Sequence, residues 1–189
     1  MKARLWTIQK LSLLTTILQR GSYQPVFAYS DYAATSKELY ELYQFILNSY
    51  NRVNGTNYPG LVFTFLELGE DGNLYDCQDY DAFVRFVHRH SAQIKSLWNE
   101  LASKDTIIMC IEKDIDEHYP LFIDINDFQY LMPPVINAPP YSEEYHEFLL
   151  NSIWNGRPVK SIFPSNAIQA LVPDIKAEDV IGLYPMFTL

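Results

Sequence analysis

The chain has 189 residues, 48% apolar and 20% charged, proportions that exclude disordered and fibrous classes. A net charge of −9 leaves no excess of Lys and Arg to hold a phosphate backbone, which argues against general nucleic-acid binding. No apolar run reaches the ~20 residues of a membrane-spanning helix, and Cys77 and Cys110 lack the spacing of a zinc site or the density of a disulfide scaffold.

This length fits one domain, 1–189, with one sizeable core. The opening run begins like a signal peptide, but Gln9 and Lys10 interrupt its apolar stretch, so a cytoplasmic chain with reduced thiols is expected. Fourteen Tyr and eleven Phe bring the aromatic share to 15%, which suits either a contact surface or ordinary half-buried strand and helix edges.

Residues 3–9 predict a strand, and Leu11, Leu14, Ile17 and Leu18 predict the inward stripe of a helix that stops at Gly21. Thr35 and Glu38 read as a capping box before the apolar stripe Leu39, Leu42, Tyr43, Ile46, Leu47 and Tyr50, with Gly55 as the stop. Leu61 to Leu68 predicts a strand, followed by a turn at Glu70-Asp71-Gly72-Asn73. From Asp79 to about Ser103, Phe83, Val87, His90, Ile94, Leu97 and Leu101 fall on one face and predict the longest helix, with a break near Ser91.

Thr106 to Glu112 and Pro120 to Ile125 predict strands joined by a charged turn, and an antiparallel pair is the economical arrangement. Asn126 to Leu131 offers a short helical turn before a Pro-rich connection. Ser142 caps a helix carrying Tyr145, Phe148, Leu149 and Ile153, which ends at Asn155-Gly156. Strands at Ala167 to Val172 and Leu183 to Leu189, joined by a turn at Lys176 to Asp179, close the chain.

Gly-rich phosphate loops, GxSxG, HExxH and CxxC are absent from the sequence. His88 and His90 fall on different helix faces, an arrangement unsuited to zinc. Asp114, Asp116, Glu117, Asp124 and Asp127 lack the Gly and terminal Glu of a calcium loop and read as a solvated acidic turn, so no metal is expected. Glu67 and Glu112 end strand-like runs and are a candidate acid and base pair, with nothing in the sequence to join them.

Arg4 to Gln9, Tyr50 through Tyr58-Pro59-Gly60, Ile108 to Phe128, Ser161-Ile162-Phe163 and Ile168-Gln169-Ala170 together resemble an uncharacterised bacterial family whose members open with Leu-Trp-Thr-Ile-Gln. More distantly, Leu5 to Gln9, then Ile17 to Gly21, and later Ile168 to Pro173 with Val180-Ile181, resemble DarT-type ADP-ribosyltransferases. That resemblance implies an α+β fold on a split, mostly antiparallel sheet with the first and last strands central or nearly so. It also implies a nucleotide ligand, NAD or ADP-ribose, contacted by Trp6, Thr7, Gln9 and Gln169, with Trp6 or a nearby Tyr stacking on a ring.

The departures from the pattern weaken transfer. Thr7 stands where the transferases have an NAD-contacting His, and Gln169 where they have the catalytic Glu; an amide can hydrogen-bond ribose but carries no charge to stabilise a developing cation. Gln169 also suits an ordinary outward position in a terminal strand. The alternative reading is a non-catalytic acidic protein whose Tyr-rich face binds another protein.

Overall fold

A computed structural model of the protein describes residues 2–30, 33–115, 121–157 and 160–189. In it β1 (Lys2–Lys10) runs directly into α1 (Leu11–Arg20), which ends on Gly21 in the left-handed conformation at φ 77°. The inward residues of α1 are Leu13 and Ile17; Leu18, expected inside, is 83% exposed. The helix is thus rotated from the predicted stripe, because its apolar residues outnumber the positions that the sheet can cover.

After β2 (Ser22–Tyr23) comes α2 (Lys37–Asn54), the longest helix among the described residues. Its cap is Ser36, whose hydroxyl accepts from the Leu39 N–H at 3.0 Å, while Thr35 closes a preceding 3-10 turn. The N-cap is therefore displaced by one residue from the expected Thr35, since the 3-10 turn from Ala33 moves the helix start, and with Leu39 rather than Glu38 at the third helical position no capping box forms. Leu39, Tyr43, Ile46, Leu47 and Tyr50 are buried as the periodicity predicts, and fully burying a side chain such as Ile46 contributes roughly 1.5–3 kcal/mol.

A short hairpin joins β3 (Val62–Leu68) to β4 (Leu74–Tyr75), and Asp79 then caps α3 (Tyr80–Arg89) by accepting from the Ala82 N–H at 2.7 Å. At His90 the chain bends into α4 (Ser91–Ala102), so the predicted long helix is a broken pair. Next follow β5 (Thr106–Asp114), β6 (Leu121–Asp124), α5 (Ile125–Leu131) and α6 (Glu143–Trp154), the last capped by Ser142. Finally come β7 (Ala167–Val172), β8 (Ile175–Lys176) and β9 (Val180–Pro185).

The main sheet is antiparallel in order β6-β7-β3-β1-β5-β9, with β4 attached to β3; β2 and β8 pair separately. β1 is central as expected, but β9 is an edge strand. The expected β5–β6 hairpin does not form: β5 lies between β1 and β9, whereas β6 lies at the opposite edge on β7. Asp116, Glu117 and Pro120, part of that expected turn and strand, lie outside the described residues. A charged turn marks a change of direction, but it does not say which strand the next one will meet.

Along its length β1 pairs with β5, from Lys2↔Asp114 to Lys10↔Thr106, yet it meets β3 at the single register pair Trp6↔Phe65. On one side of that pair the Arg4 N–H donates to the Asp76 carboxylate at 2.7 Å; on the other, Thr7 Oγ1 donates to the Phe63 carbonyl at 2.8 Å. Side chains thus satisfy backbone groups where a regular ladder would have done so. The sheet has two halves, β6-β7-β3 and β1-β5-β9, joined at Trp6.

Registers Trp6↔Phe65 and Phe65↔Gln169↔Ile123 put these residues on one sheet face. Helices α3 and α4 cover part of that face, packing Phe83, Phe86 and Trp98 against Trp6 and Phe65. Helices α2 and α6 cover the part over Ile123 and Leu171. On the opposite face Leu5, Leu66, Met109 and Ala170 pack against Leu13 and Ile17 of α1.

Candidate functional site

Where β1 and β3 part, a cavity of about 640 Å³ opens between the sheet halves. Ile8 and Gln9 of β1 face Val62 and Phe63 of β3 across it, and Gln169 of β7 joins them. Leu97 and Leu101 of α4 contribute another wall; their side chains are half-buried because they border this space.

The remaining wall is the segment 24–27. Its placement depends on close backbone approach: the Phe27 N–H donates to the Pro59 carbonyl at 3.0 Å, and a Cβ on Gly60 would lie 2.6 Å from the Pro25 carbonyl oxygen. Only glycine fits there. Phe27 meets Tyr43 edge-on at 5.3 Å, and Tyr43 meets Phe63 edge-on at 5.4 Å. Phe63 also packs on Phe128, with centroids 5.6 Å apart. All these rings border the cavity, giving it an aromatic side.

Polar side chains, among them Gln9, Gln24, Ser30, Thr106 and Gln169, line the rest of it. Gln169 is only 5% exposed, and its Oε1 accepts no hydrogen bond from the described residues. Leaving a buried carbonyl oxygen without a donor costs about 1–3 kcal/mol. Gln9 is held differently: its Nε2 donates to Thr7 Oγ1 at 2.9 Å, and Thr7 in turn donates to the Phe63 carbonyl. A chain of side-chain bonds therefore orients Gln9 at the split.

Lys10 and Lys104 are the ionic side chains on the lining, and no Asp, Glu, His or Cys joins them among the described residues there. Burial pushes the Tyr23 hydroxyl above its ordinary pKa, partly offset by the nearby Lys10 ammonium. On a protein of net charge −9, Lys10 and Lys104 bring two ammonium groups to this lining, Lys104 paired with Glu100 at 3.0 Å.

The resemblance singled out Trp6, Thr7, Gln9 and Gln169. Gln9 and Gln169 share the cavity, and Thr7 lies behind it, fully buried, as the support for Gln9. Trp6 is a correction: it lines no part of the cavity, stacks on Phe83 at 4.7 Å and 6°, and donates from Nε1 to the Cys77 carbonyl at 2.8 Å. Both its faces and its N–H are committed to the core, so a ligand ring cannot stack on it. Gln169 is not an outward strand residue either, since all of β7 is buried.

The other candidates lie elsewhere. Glu67 forms an ion pair with Arg89 and lies 3.5 Å from His90 Nε2, whereas Glu112 pairs with Lys2 at 3.1 Å; β1 separates the strands that carry them. His88 packs near Phe187 and His90 against Phe86, and burial lowers the His90 pKa. No cluster of metal-ligating side chains occurs among the described residues.

Asp124 and Asp127, expected on a solvated turn, are buried at the start of α5. Asp124 accepts from Ser165 N–H and Oγ, and Asp127 from Ser161 Oγ at 2.9 Å and the Tyr145 hydroxyl at 3.1 Å. Burial nevertheless pushes the Asp127 pKa up to about 6.

Sequence reasoning missed the segment 24–27, Phe63, Phe128 and Lys104 as site residues. The one local signal was Pro25-Val26-Phe27, apolar residues in a stretch with neither helical nor strand periodicity. Such a segment needs a tertiary surface to cover.

Fold and site together define an α+β protein with a concave, aromatic, cation-bearing cavity at a break in an antiparallel sheet. No protein-family model, curated protein or solved structure matches the chain.

Proposed function

We propose that the protein binds a nucleotide of the NAD or ADP-ribose class in the cleft between its sheet halves, without efficient group transfer. The observation that carries this reading is the Gln169 side chain, which lines the cavity and whose buried amide oxygen has no donor among the described residues. A purine amino group or a carboxamide supplies such a donor, and the planar ring to which it is attached suits the aromatic side. The volume lies within the ~300–1,000 Å³ of small-molecule sites. The ligand class is taken from the resemblance of the sequence to ADP-ribosyltransferases.

Transfer is disfavoured by the same lining. Cleaving the glycosidic bond of NAD develops positive charge on the ribose, which a fixed carboxylate would stabilise and a neutral amide does so far less. The described lining offers no carboxylate and no general base.

Thermal unfolding with added ADP-ribose and NAD tests the binding. At 100 times its dissociation constant a ligand stabilises by about 2.7 kcal/mol, a shift of roughly 5–10 °C for this size of domain. Gln169→Leu abolishes the shift. If no NAD-related nucleotide shifts the wild-type protein at millimolar concentration, the acidic, partner-binding reading takes its place. Gln169→Glu is expected to introduce slow NAD cleavage, measured as nicotinamide release.

A further inference from the structure

A smaller cavity of about 360 Å³ lies between α5 and the connection that follows it, and its described lining shares no residue with the cavity above. Tyr130 and Tyr141 form one side as a stacked pair, with centroids 4.1 Å apart and planes at 11°; Phe163, Pro134 and Ile136 supply the remaining apolar surface. Asn126 and Gln129 of α5 complete the lining. Asn126 Nδ2 donates to the Phe163 carbonyl at 2.8 Å, and Gln129 Nε2 donates to the Gln93 carbonyl. These bonds fix the sense of both amides, so each turns its carbonyl oxygen away from the bond as an acceptor.

No Lys, Arg or His lines this cleft among the described residues; His146 meets Tyr130 edge-on at 5.8 Å from outside it. Carboxylates stand behind it instead. Burial and then Glu143 raise the Tyr130 hydroxyl pKa, and burial and then Asp127 push that of Tyr141 up to about 12, with no cation acting against them.

We propose that this cleft takes the guanidinium group of an arginine side chain presented by a partner peptide. A guanidinium is planar, donates in a fixed fork and accepts nothing, which matches aromatic walls beside two amide oxygens and nearby negative charge. A compact ammonium group matches the acceptors but not the flat walls. Ile136 and Phe163 are 68% and 54% exposed, and Ile162 beside Phe163 is 50% exposed, so an apolar rim continues past the space that one side chain fills. A free arginine leaves that rim in water, whereas a peptide with apolar neighbours to its arginine covers it. The net charge of −9 attracts such a basic partner and opposes both a second copy of this chain and an anionic membrane.

N-acetylarginine amide probes the cleft alone, and the peptide acetyl-Leu-Arg-Leu-amide probes cleft and rim together, both titrated by calorimetry with N-acetyllysine amide as the ammonium control. Gln129 is exposed, so the fold tolerates either charge there. Gln129→Glu is expected to tighten the arginine amide by about tenfold and Gln129→Lys to weaken it by about tenfold or more, with little change in the denaturant midpoint. Ile136→Ser is expected to weaken the peptide and leave the arginine amide unchanged.

Equal arginine-amide affinity in the two Gln129 variants, or no binding of it to the wild-type protein at millimolar concentration, overturns the site. Lysine amide bound as tightly as arginine amide overturns the guanidinium assignment. A peptide bound no more tightly than arginine amide overturns the peptide as the source of that group.

Discussion

Gln169 sets stability against binding. Its unbonded carbonyl is a cost to the free protein, so Gln169→Leu, of similar size and without polar atoms, should raise the free-protein unfolding free energy by about 1 kcal/mol or leave it level. The same change should abolish ligand-induced stabilisation. Denaturant titration with and without ADP-ribose separates the two effects; a destabilised variant would mean that the amide is bonded within the fold.

Asp127 makes a prediction of a different kind. Burial holds its pKa near 6, above the ordinary value of 3.8, so the folded state favours the protonated form. Its contribution is present below pH 4 and is lost as pH rises through about 6, by roughly 3 kcal/mol in all. His90, lowered by burial, acts in the opposite sense, gaining stability as pH rises towards 6.5. The measurement is therefore a difference: wild type minus Asp127→Asn should fall between pH 4 and 6, and a flat difference would remove the assigned cause.

Elements were legible where the signal is local. Ser142 before its helix, and Gly21 and Gly55 after theirs, act through hydrogen bonds or backbone conformations only a few residues away. The cap of α2 shows the limit of that reading. Thr35 and Ser36 are both competent, and the 3-10 turn from Ala33 decides between them. Ser36→Ala should cost about 1 kcal/mol in a denaturant titration, through loss of the bond to the Leu39 N–H.

Helix α1 is the counterpart, since its Leu-rich sequence supports more than one inward face. Ile17→Ala should cost about 2–5 kcal/mol, against under about 0.5 for Leu18→Ala, and equal costs would mean that the helix is rotated from the face described. Gly60 belongs to the same scale. Gly60→Ala must push the Pro25 segment away from β3, so although Gly60 lies in a loop it should weaken ligand binding.

At the scale of the whole molecule, Trp6 links the sheet halves. It sits at their single register pair, stacks on Phe83 and donates to the Cys77 carbonyl. Trp6→Ala should therefore cost about 3–5 kcal/mol, whereas Trp6→Phe keeps a ring against Phe83 and loses chiefly the Nε1–H bond, about 1–2 kcal/mol. Thermal and denaturant unfolding of both variants checks the ranking; near-neutral Trp6→Ala would mean that the halves are held elsewhere.

The sequence by itself determined the α+β class, the approximate extents of β1, α2, β3, α6 and β7, and the residues that punctuate them, because each depends on contacts within a few residues. Tertiary structure alone decided that β6 crosses to the edge beyond β7, that β9 lies outside β5, and that Trp6 faces the core while Gln9 and Gln169 meet in one cavity. Strand pairing is a competition among surfaces distant in sequence. A ladder interrupted by Asp76 and Thr7 side chains leaves no mark in the hydrophobic pattern of either strand, yet that interruption opens the site.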